Sequence, residues 1–145
     1  MMIPKDLVRL IENQPGNIHR TDKGMAIVAL ETLGVSPGCE FDSIYINYLP
    51  ANFQSSVSDE YICDVSEPTE QILIGTEFIH GMWELPKNYI DFTSSQSEGG
   101  YLLDKISGGV LDFGLEQQKD FVSGLISPKW NSFFEIIRWY LPPAE

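Results

Sequence analysis

The chain contains few of the residues from which metal sites, disulfide frameworks and nucleophilic active sites are built. It has two cysteines, Cys39 and Cys63, and two histidines, His19 and His80. Closely spaced cysteine or histidine pairs, which zinc sites commonly use, do not occur. Small secreted scaffolds also use more cysteine than this. We therefore predict free thiols in a reducing cytosol, with a single structural disulfide as the alternative, and neither a metal ion nor any other cofactor.

A long apolar run is also missing. About 18 consecutive apolar residues are needed to cross a membrane as a helix, and no such run occurs in the sequence. The N-terminal segment contains Lys5, Asp6 and Arg9, where a signal peptide has an unbroken apolar core. The sequence therefore predicts a cytoplasmic protein with no membrane partner.

Positive charge is scarce. Only 9 Lys and Arg residues accompany 21 Asp and Glu residues, which gives a net charge of -12. Residues 24–86, here called the acidic segment, contain no Lys or Arg, and their acids are Glu31, Glu40, Asp42, Asp59, Glu60, Asp64, Glu67, Glu70, Glu77 and Glu84. This charge repels nucleic acids, so we predict no nucleic-acid partner. The acidic segment is either a solvated surface or a docking surface for a basic protein.

The sequence motifs of common catalytic sites are absent as well. The chain has no Gly-rich phosphate loop, no dinucleotide-binding fingerprint and no GxSxG elbow. Cys63 lies in an apolar segment, where a buried, inert thiol is the usual outcome. We therefore predict a protein that is not an enzyme. The alternative is a small hydrolase that uses carboxylates and His80, and it requires a pocket that holds His80 beside a shielded carboxylate.

The residues that are present favour one folded domain over positions 1–145. Hydrophobic residues make up 43% of the chain, and 145 residues is a common size for a single domain. Apolar residues recur at helical spacing in four segments. The predicted helices lie between Ile3 and Gly16, between Thr21 and Gly34, between Ser36 and Leu49, and between Ser127 and Leu141. Ser36-Pro37 and Ser127-Pro128 indicate two of the starts, because Ser caps helices and Pro suits their first position.

Shorter segments in the second half have the composition of strands. The strand candidates are Tyr61–Val65, Tyr89–Thr93, Tyr101–Lys105, Val110–Phe113 and Asp120–Val122. Ser107-Gly108-Gly109 predicts a hairpin turn between two of them. Residues 67–82 fit either a helix or a strand, and we favour the helix.

Several short motifs occur in an order that resembles a known family. They are Leu33-Gly34-Val35 before Pro37 and the aromatic segment Phe41–Tyr48, Trp83–Pro86 before Tyr89–Phe92, Gly99–Asp104 before Gly108–Val110, and Trp130–Phe134. Their order resembles that of the SUKH superfamily, which groups fungal Smi/Knr-type regulators of cell-wall synthesis with bacterial immunity proteins, and the resemblance covers roughly residues 20–141. Residues 49–53 depart from the family, which often has an Asn-Gly-Gly turn there, so we expect this loop to be built differently.

The resemblance implies an α+β fold, with a twisted antiparallel sheet of about four to six strands and helices packed against it. It also implies a protein without an active site, because the family has no shared catalytic residues. Its immunity proteins bind and neutralise cognate toxins, many of them nucleases, and its fungal members act as interaction hubs. An immunity protein is therefore the first expectation, and a regulatory scaffold linked to cell-wall or glucan synthesis is the alternative.

Partner binding is expected to use the acidic segment, because nuclease toxins tend to be basic. The carboxylates we expect to take part are Asp59, Glu60, Asp64, Glu67, Glu70 and Glu77. Trp83 is a candidate aromatic anchor, since tryptophan is enriched among interface hot spots. A structural role for Trp83 is equally open.

Overall fold

Helices dominate the first half of the chain, and a small sheet occupies the second. The computed structural model describes residues 3–58, 61–65, 71–93, 99–123 and 126–143. Within these ranges the helices are α1 (Lys5–Glu12), α2 (Lys23–Thr32), α3 (Glu40–Asn47), α4 (Gln71–Gly81), α5 (Gln118–Val122) and α6 (Phe133–Tyr140), and the strands are β1 (Tyr89–Asp91), β2 (Gly99–Asp104) and β3 (Val110–Gly114). The fold is α+β, as predicted.

The strands form one antiparallel sheet in the order β1-β2-β3. Ile90 pairs with Leu103, and Leu102 pairs with Leu111. β2 and β3 form the predicted hairpin, whose turn places Gly108 at a φ of 80°, a region that glycine enters at little cost. The described residues therefore contain a sheet of three strands, where four to six were expected.

Both faces of the sheet are covered. Side chains alternate between the faces along a strand, so Leu103 and Val110 join the main core, which also contains buried residues of α1, α2, α3 and α6. Leu102 and Leu111 point the other way and join a second, smaller cluster with Ile79 of α4. The sheet is thus the middle layer between two apolar clusters.

Three phenylalanines lie at the centre of the main core. The Phe133 ring is 4.8 Å from that of Phe41 and 5.3 Å from that of Phe92, both edge-to-face. Tyr45 is also fully buried, and its hydroxyl donates a 2.7 Å hydrogen bond to the carbonyl of Cys63. Burial raises the pKa of Tyr45 well above its ordinary value, so the phenol stays protonated as this bond requires.

Two strand candidates were wrong. In Tyr61–Val65, Ile62 makes only an isolated bridge to Thr93, and no named strand forms. Asp120–Val122 lies in α5, and three residues are too few to distinguish a strand period from a helical one. The helix favoured for residues 67–82 is confirmed as α4 over Gln71–Gly81, and residues 67–70 lie outside the described ranges.

Two helices begin later than their Ser-Pro signals predicted. Before α3, Gly38 has a φ of 81° and its N–H donates to the Asp42 carboxylate, so the chain turns before the helix starts at Glu40. Before α6, the N–H and carbonyl of Trp130 both hydrogen-bond to Val110 of β3. This pairing holds the chain extended, and α6 starts only after Ser132.

Candidate functional site

The residues expected to bind a partner do not form one continuous surface in the described part of the chain. Asp59, Glu60, Glu67 and Glu70 lie outside the described residues. Glu77 is exposed on α4, as expected for a docking carboxylate. The remaining two, Asp64 and Trp83, take structural positions.

Asp64 pairs with a buried arginine. Arg20 is 3% exposed, and one of its terminal nitrogens donates to the Asp64 carboxylate. Its Nε donates to the carbonyls of Tyr45 and Tyr48, at the C-terminal end of α3, where the helix dipole favours a cation. Asp64 therefore balances an internal charge, and its side chain is only 12% exposed; its role in partner binding stays a prediction.

Two further acids of the acidic segment also have internal roles. Glu40 accepts a 2.8 Å hydrogen bond from the N–H of Phe134 in the first turn of α6. Asp42 is buried and accepts a 2.8 Å hydrogen bond from Gly38. Neither role was predicted, because each depends on where the chain turns. The exposed acids of the described part of the segment are Glu31, Glu77 and Glu84.

Trp83 belongs to the second cluster. It is 9% exposed, and its ring lies 5.2 Å from that of Phe113 and 5.5 Å from that of Phe78. Its carbonyl accepts a 3.0 Å hydrogen bond from Gln118 Nε2. Trp83 thus has the structural role that the sequence left open, and it packs against Phe78; its role as an aromatic anchor for a partner stays a prediction.

The outer face of α4 is the surface that sequence reasoning missed. Ile74, Phe78 and Met82, here called the α4 outer row, are 59%, 44% and 72% exposed. Ile74 and Phe78 are four residues apart and share one side of α4. Met82 continues the row directly after the helix, where its N–H donates to the Phe78 carbonyl at 2.7 Å, and Glu77 lies beside them. The signal was present in the sequence as this i, i+4, i+8 pattern. This pattern was missed because the inner face of α4 is equally apolar.

His80 is held by the backbone of the sheet. Its Nε2 lies 2.8 Å from the carbonyl of Tyr89, which requires Nε2 to carry the hydrogen and donate it. Burial lowers the pKa of His80 below its ordinary value of 6.5, and Lys87 and Lys105 lower it further. The ring is therefore a neutral donor to a main-chain oxygen.

A cleft of about 300 Å³ lies between the start of α3, the start of α6 and the β2–β3 turn, and His80 does not line it. Its charged side chains already hold the fold together. Lys105 Nζ donates to the Leu33 carbonyl at 3.0 Å, and Asp104 accepts hydrogen bonds from Asn88 and from the turn. The cleft therefore does not bring His80 and a carboxylate together, as the hydrolase alternative requires.

The described residues contain no cluster of three or more His, Cys, Asp or Glu side chains arranged to hold a metal ion. Cys39 and Cys63 form no disulfide with each other. None of the helices in the described ranges has the length and apolarity needed to span a bilayer. The chain matches no model of a known protein family and no curated protein sequence.

Proposed function

We propose that this chain is a non-catalytic binding module that recognises a basic protein through its acidic segment. The most concrete form of the proposal is an immunity protein that neutralises a cognate toxin of the same cell or its neighbours, such as a basic nuclease. A regulatory scaffold of the Smi/Knr type would use the same chemistry with a different partner.

One observation carries the proposal: no Lys or Arg occurs in residues 24–86, and exposed acids remain there after the internal ones are accounted for. Glu31, Glu77 and Glu84 reach solvent, whereas Glu40, Asp42 and Asp64 bond within the fold. Uncompensated surface charge accelerates association with a partner of opposite charge. It also makes that association sensitive to salt, because ions screen exposed charges.

The test is growth rescue. A reading frame that neighbours this gene is expressed under an inducible promoter, with and without the chain. If the neighbour encodes the toxin, its expression alone arrests growth, and co-expression restores it. Binding of the two purified proteins is then expected to weaken as NaCl is raised from about 0.05 to 0.5 M. Binding that is indifferent to salt contradicts recognition through charge.

A matched pair of variants tests whether the acidic segment is responsible. The first variant neutralises Glu60, Glu67 and Glu70 as glutamines. The control removes the same charge outside the segment by Asp112→Asn, Glu116→Gln and Asp120→Asn, all at exposed positions. We expect the first to bind at least about tenfold more weakly than the control. If both variants lose the same affinity for the partner, the loss is due to net charge alone and the acidic segment has no special role.

A further inference from the structure

α4 has large apolar side chains on its solvent-facing side as well as on its buried side. Ile72 and Ile79 are fully buried on its inner side. On its outer side the large side chains of the α4 outer row are exposed, and Glu77 is the only acidic or basic residue other than His80 between Gln71 and Gly81. A helix with large apolar side chains on two opposite sides is normally covered on both. Its exposed side is therefore the place where a covering partner is expected.

The conformation of the α4 outer row is also partly fixed before a partner binds. The Phe78 ring packs edge-on against Trp83, at 5.5 Å and 73°, so its conformation is restricted before any partner arrives. Restricting a side chain in advance lowers the entropy lost on binding. Met82 is flexible and can adapt to the partner's shape. Rigid and adaptable apolar groups thus lie side by side.

Charge decides which occupant fits. A second copy of this chain would bring another net charge of -12 to the same place, and like charges repel. Glu77 lies on the exposed side of α4 and the exposed Glu84 follows the helix, whereas Lys87 and Lys105 lie near His80, whose ring bonds to β1. We propose that the α4 outer row docks a helix of a partner protein that presents an apolar stripe bordered by Lys or Arg. The basic character of that partner rests on the proposed function, whereas the location on α4 does not.

The experiment uses two fluorescein-labelled synthetic peptides made of leucine and lysine. In the first, the leucines form one helical face, and in the second the same residues are reordered so that no face exists. Binding is measured by fluorescence anisotropy to the wild-type chain, to Ile74→Ser/Met82→Ser, and to the control Met25→Ser/Val28→Ser. The control changes two residues of α2 that are 51% and 62% exposed. Thermal unfolding of each free variant checks that the fold is retained.

We expect the first peptide to bind the wild type and the control within about twofold, and the α4 variant at least about tenfold more weakly, because two apolar contacts are lost. Equal binding to the α4 variant overturns the inference but leaves the proposed function standing. If both peptides bind the wild type equally, the inference is also overturned and the proposed function stands, because charge alone then explains the binding. If neither peptide binds, the inference fails, whereas the proposed function is decided separately by growth rescue. A wild-type dimer that the α4 variant loses shows that a second copy is the occupant and overturns the inference.

Discussion

At the scale of single residues, the most consequential contact is the ion pair between Arg20 and Asp64. The Arg20 side chain is 0% exposed and that of Asp64 is 12% exposed, so the pair is almost fully removed from water. Arg20 also connects α3 to the segment before α2 through the carbonyls of Tyr45 and Tyr48. Asp22, which is 38% exposed, is a second partner of Arg20 at 3.3 Å, but Asp64 is the more buried counter-charge, and a buried cation that loses such a partner is costly.

Asp64→Asn is therefore expected to lower the free energy of unfolding by about 1.5–3 kcal/mol, the usual worth of a hydrogen bond to a charged group. The measurement is urea denaturation at neutral pH. The matched control is Asp112→Asn, whose pair with Lys129 is 48% and 57% exposed. Because exposed pairs contribute about 0–1 kcal/mol, the control should change little. Similar effects of the two substitutions would contradict an internal role for Asp64.

The role of Asp64 also shows why the candidate site was only partly predictable. The sequence identified an acidic segment correctly, but it could not separate carboxylates that face solvent from those that bond inward. Asp64 finds its partner 44 positions away, and Glu40 finds its partner 94 positions away. Such separations are set by the tertiary fold and leave no local pattern. Exposure of Glu77 is one feature that local spacing on α4 does indicate.

At the scale of elements, the end of α4 contains an unusual backbone conformation. Glu84 has a φ of 56°, the only positive value outside glycine in the described residues. It lies in the turn where the Leu85 N–H donates to the Ile79 carbonyl at 3.0 Å. A side chain costs about 1–2 kcal/mol in this conformation, whereas glycine adopts it freely.

Glu84→Gly is therefore expected to stabilise the chain by about 1 kcal/mol, because relief of strain exceeds the added flexibility of the unfolded chain. Thermal unfolding measures the change. Glu77→Gly removes the same charge from the interior of α4, where glycine costs about 1 kcal/mol relative to good helix formers. The two variants should thus move in opposite directions. A loss of stability in both would show that the turn does not store strain at position 84.

Element boundaries show where local signals compete with tertiary pairing. Ser127-Pro128 is a strong local start, yet the backbone of Trp130 pairs with Val110 and delays α6. A second signal was available in Ser132-Phe133-Phe134-Glu135, the pattern of a capping box. Ser132 indeed accepts from the Glu135 N–H, whereas Glu135 accepts at 2.7 Å from the N–H of Asn131, one residue before the N–H that a capping box uses. The hairpin, by contrast, was predictable because its turn residues are local.

At the scale of the whole molecule, the dominant property is the net charge of -12. The two clusters on either side of the sheet must hold the chain together against the mutual repulsion of its acids. The exposed pairs Arg138–Asp6 and Lys129–Asp112 offset little of it, since such pairs contribute about 0–1 kcal/mol. Folding brings the acids closer together than they are in the unfolded chain, so repulsion acts against the folded state.

Screening should therefore stabilise this protein. We expect the urea midpoint to rise as NaCl is increased from about 0.01 M to 0.3 M, because the Debye length falls from about 30 Å to less than 8 Å. KCl should give the same rise, which excludes specific binding of Na⁺.

The variant with Glu60, Glu67 and Glu70 neutralised should respond less to salt than the variant with Asp112, Glu116 and Asp120 neutralised. The reason is that the acidic segment contains no Lys or Arg to screen its charges, whereas Lys129 lies 3.3 Å from Asp112. A midpoint that falls with salt would mean that attractive pairs outweigh repulsion, and the acids of the segment would then be already balanced before any partner binds.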